Sequence, residues 1–179
     1  VSITGKGNYA GANVQKSYTI ERKTIEANWI TLGTAEYTYD GNNHTPAITV
    51  KDGNVELSVN TEYTISFTNS TTNTDDRITA GTITVTVTGK GNYTGTYTAT
   101  YTIQSKTLQP NCITLSQTQY TYDGNSHTPK ITVKDGDKTL ELNTDYTVTF
   151  TNSTTNSDDR TTAGTITVTV TGKGNYTGT

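Results

Sequence analysis

The chain has no methionine and a single cysteine, Cys112. One cysteine excludes an intramolecular disulfide and any Cys-rich zinc site. No apolar run approaches the length needed to cross a bilayer, so membrane insertion of this segment is not expected. Basic residues are not in excess either: 13 Lys and Arg stand against 16 Asp and Glu, a formal net charge of -3. A slightly acidic balance argues against nucleic acid as a partner, which requires a clustered basic surface. Hydrophobic residues make up only 30% and charged residues 16%. Low hydrophobicity accompanies disorder when net charge is high and aromatics are few. Neither condition holds, since the chain carries 12 tyrosines. The remainder is dominated by Thr, Asn, Ser and Gly, and Thr and Tyr favour pleated, half-buried surfaces. The composition therefore reads as all-β. The first residue is Val and no signal peptide is visible, so the chain reads as an excerpt or mature fragment of a longer protein.

What is present is a repeat. The phrase GTITVTVTGKGNYTGT occupies residues 81–96 and recurs unchanged at 164–179, and a worn version, VSITGKGNYAGA, opens the chain. Residues 37–96 align without a gap on 120–179, an offset of 83, with 48 identities in 60 positions. Substitutions are mild at apolar positions (Ile65/Val148, Val59/Leu142) and free at polar ones (Ala47/Lys130, Ser58/Glu141). Two copies of one fold drift in this way. Upstream, Ile30-Thr31-Leu32 lies over Ile113-Thr114-Leu115 and Trp29 over Cys112. Cys112 thus reads as a small apolar plug at a position that the other copy gives to tryptophan.

Within each copy the apolar period is two. Ile83, Val85 and Val87 alternate with threonines, Tyr63, Ile65 and Phe67 with Thr64, Ser66 and Thr68, Ile48 and Val50 with Thr49 and Lys51, and Tyr97, Ala99, Tyr101 and Ile103 with threonines. Strict alternation predicts strands with one buried and one wet face. Turn chemistry separates them at Asp40-Gly41-Asn42-Asn43, Asp52-Gly53-Asn54, Asn73 to Arg77 and Gly89-Lys90-Gly91-Asn92. Six or seven short strands per copy predict antiparallel two-sheet sandwiches in tandem, joined near Gln104–Gln109. The expected core is Ile48, Val50, Leu57, Tyr63, Ile65, Phe67, Ile83, Val85 and Val87, with their partners 83 residues on.

The phase of the repeat divides the chain into three. Residues 1–22 match the closing strands of a preceding repeat, with Asn13–Ile20 as its last strand. Residues 23–105 form one complete repeat. Residues 106–179 form a second that stops before an equivalent of Tyr97–Ile103. An uncovered sheet edge recruits partners, so head-to-tail strand exchange between chains is one expectation, with neighbouring repeats of the same protein as the other partners.

Tyr-Asp-Gly-Asn-x-His-Thr-Pro, then Ile-Thr-Val-Lys-Asp-Gly, then Asn-Thr-Asp-Tyr-Thr-Val-Thr-Phe (143–150), then the GKGNYTG phrase together resemble a bacterial immunoglobulin-like surface repeat. The resemblance covers nearly the whole chain. It implies tandem immunoglobulin-like antiparallel β-sandwiches and an extracellular or cell-surface location, in a stalk or spacer role. It carries no catalytic residue and no cofactor. The Thr-Asn-Ser-Thr-Thr-Asn-x-Asp-Asp-Arg loop before Ala80 and Ala163 is longer than the usual turn there.

Candidate chemistry is sparse. His44 and His127 each follow a turn, with Asp40 and Asp123 four residues before and Thr45 and Thr128 adjacent. A hydrolase needs a pocket and an oxyanion hole around such a trio, so a turn histidine bonding to nearby backbone is the expectation. Asp75-Asp76 and Asp158-Asp159 offer oxygens of the kind calcium takes. Their spacing lacks the alternating acidic signature, however, and Arg77 and Arg160 follow as charge partners. Lys51 falls on the outward parity and Lys90 and Lys173 lie in glycine turns, which does not suit a buried Lys–Asn cross-link. Tyr37, Tyr39 and Tyr93 could form aromatic platforms for sugar, although tyrosines of a small sandwich more often fill the core. The reading is a non-catalytic spacer; the rival is an adhesive module that binds glycan or a host protein through tyrosines or the Asn/Asp loops.

Overall fold

A computed structural model describes residues 1–11 and 13–179. All the regular structure is β, apart from three single 3-10 turns at Gly7–Tyr9, Ala27–Trp29 and Pro110–Cys112. An N-terminal hairpin pairs β1 (Ser2–Thr4) with β2 (Asn13–Gln15). The first copy follows with β3 (Lys23–Thr24), β4 (Ile30–Leu32), β5 (Glu36–Thr38), β6 (Ile48–Asp52), β7 (Val55–Glu56), β8 (Tyr63–Asn69), β9 (Gly81–Gly89), β10 (Tyr93–Thr94) and β11 (Thr96–Gln104). The second contains β12 (Lys106–Thr107), β13 (Ile113–Leu115), β14 (Ile131–Asp135), β15 (Lys138–Thr139), β16 (Tyr146–Asn152), β17 (Ile166–Gly172) and β18 (Tyr176–Thr177).

In the first copy, β5-β11-β9-β8 form one sheet and β4-β6-β7 another, with β3 pairing β10 in parallel. Alternation of apolar and hydroxyl residues along β9 puts Ile83, Val85 and Val87 at 0% exposure, in one buried cluster with Val50 of the other sheet. Tyr101 and Ile103 of β11 join them, both 1% exposed. Burying a residue of this size contributes about 1.5–3 kcal/mol, so β11 is a principal part of the core. The predicted core holds at Val50, Leu57, Tyr63, Ile83, Val85 and Val87, while Ile48, Ile65 and Phe67 are half-buried and pack against its rim. Trp29 is buried and Cys112 half-buried at the matching place.

The second copy repeats this pairing with one difference. β16 pairs β17, and β13-β14-β15 form the second sheet, but β17 has no further neighbour among the described residues. Residues Gln119–Thr121, which correspond to β5, are not a strand. In the first copy β5 exists only by pairing with β11, so the absence of that neighbour explains both. The N-terminal hairpin differs from expectation in the same sense: the last strand predicted over Asn13–Ile20 is regular only to Gln15. Lys16–Ile20 has no second strand beside it, and Tyr18 and Ile20 stand 77% and 85% exposed.

Candidate functional site: the junction and the open groove

Between the copies the chain spends one residue. β11 ends at Gln104 and β12 begins at Lys106, which leaves Ser105, whose Oγ donates to the Gly174 carbonyl at 3.1 Å. The Ala80 amide donates to Asn175 Oδ1 at 2.8 Å. Tyr39 packs edge-on against Tyr176 with ring centroids 5.5 Å apart, and Lys138 Nζ lies 5.7 and 5.5 Å from the two rings. Lys138 Nζ also donates to the Tyr39 hydroxyl at 3.4 Å. Burial opposes the Lys138 charge, but the Tyr39 hydroxyl and the two phenols outweigh it and hold its pKa above the ordinary lysine value. Burial pushes the Tyr176 phenol up to about 12. Among the described residues no strand of one copy pairs with a strand of the other, yet these side chains join the two. Tyr39 is therefore no sugar platform: it is 7% exposed. Tyr37 stacks on His44 at 4.6 Å, and Tyr93 packs edge-on to Trp29 at 6.2 Å.

Each histidine ring bonds locally, but to a carboxylate and not to the expected backbone. His44 Nε2 meets Asp40 Oδ1 at 2.9 Å and His127 Nε2 meets Asp123 Oδ1 at 3.0 Å. The Asn42 amide and side chain, and then His44, hold the Asp40 carboxyl below its usual range, and Asn125 and His127 do the same for Asp123. Thr45 Oγ1 donates to Asn43 Oδ1 and accepts from Arg77 Nη1, so the imidazole does not reach it for activation. The trio thus has no nucleophile–base hydrogen bond.

The Asp75-Asp76 and Asp158-Asp159 loops are bonded from within. Asp75 pairs with Arg77 and Asp158 with Arg160, each at 2.9 Å. Asp76 Oδ1 accepts from the Ile78 and Thr79 amides, and Asp159 Oδ1 from those of Thr161 and Thr162. Burial of Asp76 works against its charge, but the Thr79 hydroxyl and amide hold its pKa below normal; the Thr162 contacts lower that of Asp159. Among the described residues no group of three or more His, Cys, Asp or Glu converges as a metal site.

What sequence reasoning missed is the asparagine under each loop. Asn69 and Asn152 are 0% exposed. Asn69 Nδ2 donates to the Asp76 and Thr79 carbonyls, and its Oδ1 accepts from the Thr71 amide at 2.8 Å. Asn152 repeats this with Asp159, Thr162 and Thr154. Gly81 crosses so close that an added Cβ would lie 2.5 Å from Asn69 Oδ1. The only sequence signal was the unchanged Phe-Thr-Asn-Ser-Thr-Thr-Asn in both copies.

The second copy carries a groove of about 770 Å³ lined by, among others, Leu115, Tyr120, His127, Pro129, Ile166 and Val168. The same residue types in the first copy are Leu32, Tyr37, His44, Pro46, Ile83 and Val85, and β11 lies over them. There, Tyr101 donates its hydroxyl to the His44 carbonyl at 2.7 Å and sits edge-on to Tyr37 at 5.8 Å. No protein-family model, curated protein or solved structure matches this chain. Among the described residues no helix is long and apolar enough to cross a membrane.

Proposed function

We propose that the chain is a non-catalytic spacer: tandem immunoglobulin-like sandwiches of a bacterial cell-surface or secreted protein that hold another domain at a distance. The observation that carries this reading is the junction. Two copies of a repeat with an 83-residue offset meet through one linking residue and are braced by Tyr39, Tyr176, Lys138 and Asn175. Such bracing turns two small β units into one extended body, where a longer polar linker would leave a hinge. The nine residues of β9 span about 30 Å, which sets the reach each copy adds. Threonines on the outer faces of β9 and β17 keep that body wetted.

Small-angle scattering at low concentration tests this. A stiff spacer gives a rod-like distance distribution that Tyr39→Ala and Asn175→Ala together make shorter and broader. An unchanged distribution in the double variant would sink the reading. A glycan array and host-matrix panel addresses the adhesive rival; a signal lost on Tyr120→Ala with folding intact would favour it instead.

A further inference from the structure

We propose that the free edge of β11 is a self-recognition site, through which the first copy pairs side by side with the first copy of a second molecule about a two-fold axis at Thr98. This stands apart from the spacer reading, because a chain that never pairs would still be a spacer.

The edge is open for a reason internal to the first copy. The chain crosses from one sheet to the other at Gly33–Ala35: β4 pairs β6, and only then does β5 pair β11, at Thr102–Gln104 alone. At its other end β11 is set off from β10 by Gly95, whose φ of 89° is left-handed, and β3 covers β10 only. Between these limits β11 has β9 on one side and no strand on the other. The Thr102 amide donates to the Ala35 carbonyl, on the side away from β9. Backbone groups of successive residues point to alternate sides of a strand, so the amides and carbonyls of Thr96, Thr98 and Thr100 face the same way as those of Thr102. Among the described residues none of these six groups has a partner.

Open edges are ordinarily blunted by charged side chains, proline or a bulge. From Thr96 to Thr102 this one reads Thr-Tyr-Thr-Ala-Thr-Tyr-Thr, with no charge and no proline, and its register with β9 is unbroken. The inward-pointing side chains give a second, independent sign. Tyr101 and Ile103 are 1% exposed, whereas Tyr97 is 36% exposed and Ala99 only half-buried. Alanine is depleted in strands, and here it is the one small residue in a row with Tyr97, Tyr101 and Ile103. Its position is partly open, so the core of its own copy does not demand a small side chain there.

A second β11 accounts for both signs. Antiparallel pairing about Thr98 sets Thr98 opposite its own equivalent, Thr96 opposite Thr100 and Tyr97 opposite Ala99. The outward groups of Thr96, Thr98 and Thr100 are then all satisfied by those of the second strand. Each Tyr97 ring lies over the partner's Ala99, where a larger side chain would leave it no room. On the other face Thr96, Thr98 and Thr100 continue the hydroxyl ranks of Thr88, Thr86 and Thr84, so no charge is desolvated. The register follows from the limits of the edge. Gly95 and β5 leave Thr96 to Thr100 free, Thr98 is their midpoint, and a slip of two residues drives one strand end into β5. The contact is isologous and closes at a pair. Five residues make an edge about 17 Å long, too small for the roughly 1,200–2,000 Å² of a stable complex. Pairing is therefore weak between free molecules and effective where many are held side by side at high local concentration.

Disulfide trapping in a Cys112→Ser background reads the axis. Thr98→Cys puts the two sulfurs on a residue pair whose Cα atoms lie about 5.5 Å apart, within reach of a disulfide. A covalent dimer is expected on non-reducing gels of the concentrated protein. Thr96→Cys and Thr100→Cys should each stay monomeric alone and cross-link when the two are mixed. Sedimentation equilibrium of the unmodified chain should show mass rising with concentration from 19.3 kDa toward twice that value. Thr98→Lys alters an exposed residue and sets like charges directly opposite, which should weaken association roughly fivefold or more while the fold is kept. Ala99→Tyr fills the hollow under Tyr97 and should weaken it as well. A chain that stays monomeric up to millimolar concentration would overturn the proposal. So would equal cross-linking by the single variants at 96, 98 and 100, or association untouched by Thr98→Lys.

Discussion

β9 and β17 share the sequence Ile-Thr-Val-Thr-Val-Thr-Gly, yet they live in different surroundings. In the first copy Ile83 and Val85 are sealed; in the second, Ile166 and Val168 are half-wet. Tyr39 is buried at a junction while Tyr122 is 66% exposed. The difference teaches that alternation decides which face of a strand is apolar, and the neighbouring element decides whether that face is buried. Identical strands are equivalent in propensity and unequal in what they contribute to stability.

The widest gap between the copies should open at β11. Tyr101→Ala is expected to cost about 3–5 kcal/mol, as buried aromatic truncations do. It should bring the unfolding midpoint of the first copy down toward that of the second, as read by denaturant titration with residue-resolved hydrogen exchange. If the two copies still unfold in their original order by the original margin, β11 is not what separates them.

At the shared loops the copies should instead behave alike. Asn69→Ala and Asn152→Ala each strand two carbonyls and one amide. Each is expected to lose about 2–3 kcal/mol, and a loss confined to one copy would contradict the common geometry. Alkaline titration probes the tyrosines. Tyr101 and Tyr176 are raised to about 12 in the folded chain, chiefly by burial, from an ordinary 10.0. The folded state then holds these protons more tightly than the unfolded one, so their contribution to stability is constant below pH 10 and is lost between pH 10 and about pH 12. Tyr101→Phe should remove the Tyr101 share of that slope and leave the Tyr176 share, which fluorescence-monitored melts across this range would reveal. The smallest effect separates equivalent tyrosines: Tyr39→Ala should cost about 1–2 kcal/mol for the lost aromatic and Lys138 contacts. Tyr122→Ala should change the monomer's thermal midpoint by almost nothing.

Much of the fold was legible because period-two alternation and turn residues are local signals. The 83-residue offset then gave the second copy and the missing partner of β17. Half-buried Ile48, Ile65 and Phe67 show where alternation overstates burial: they lie at the rim, which a single strand's pattern cannot reveal. The buried asparagines escaped notice because an asparagine in a run of Ser, Thr and Asn looks like any turn residue. Its role depends on carbonyls seven and ten residues away. The junction was hidden for a related reason. Tyr39, Lys138 and Tyr176 meet across about one and a half repeats, and Lys138 replaces the Val55 of the first copy, so repeat alignment alone treats it as surface drift.

The single residue between β11 and β12 has one more consequence, for how the chain bears tension. β11 leaves the first copy at Gln104 and continues through Ser105 into the second, so a pull on the second copy draws β11 along its own length. Its pairs with β9, from Thr96 to Ile103, and with β5, from Thr102 to Gln104, are then loaded in shear and must yield together instead of peeling one at a time. Resistance to stretching is set by the rate of that concerted rupture. Even a fold of modest equilibrium stability can therefore hold against a brief strong pull.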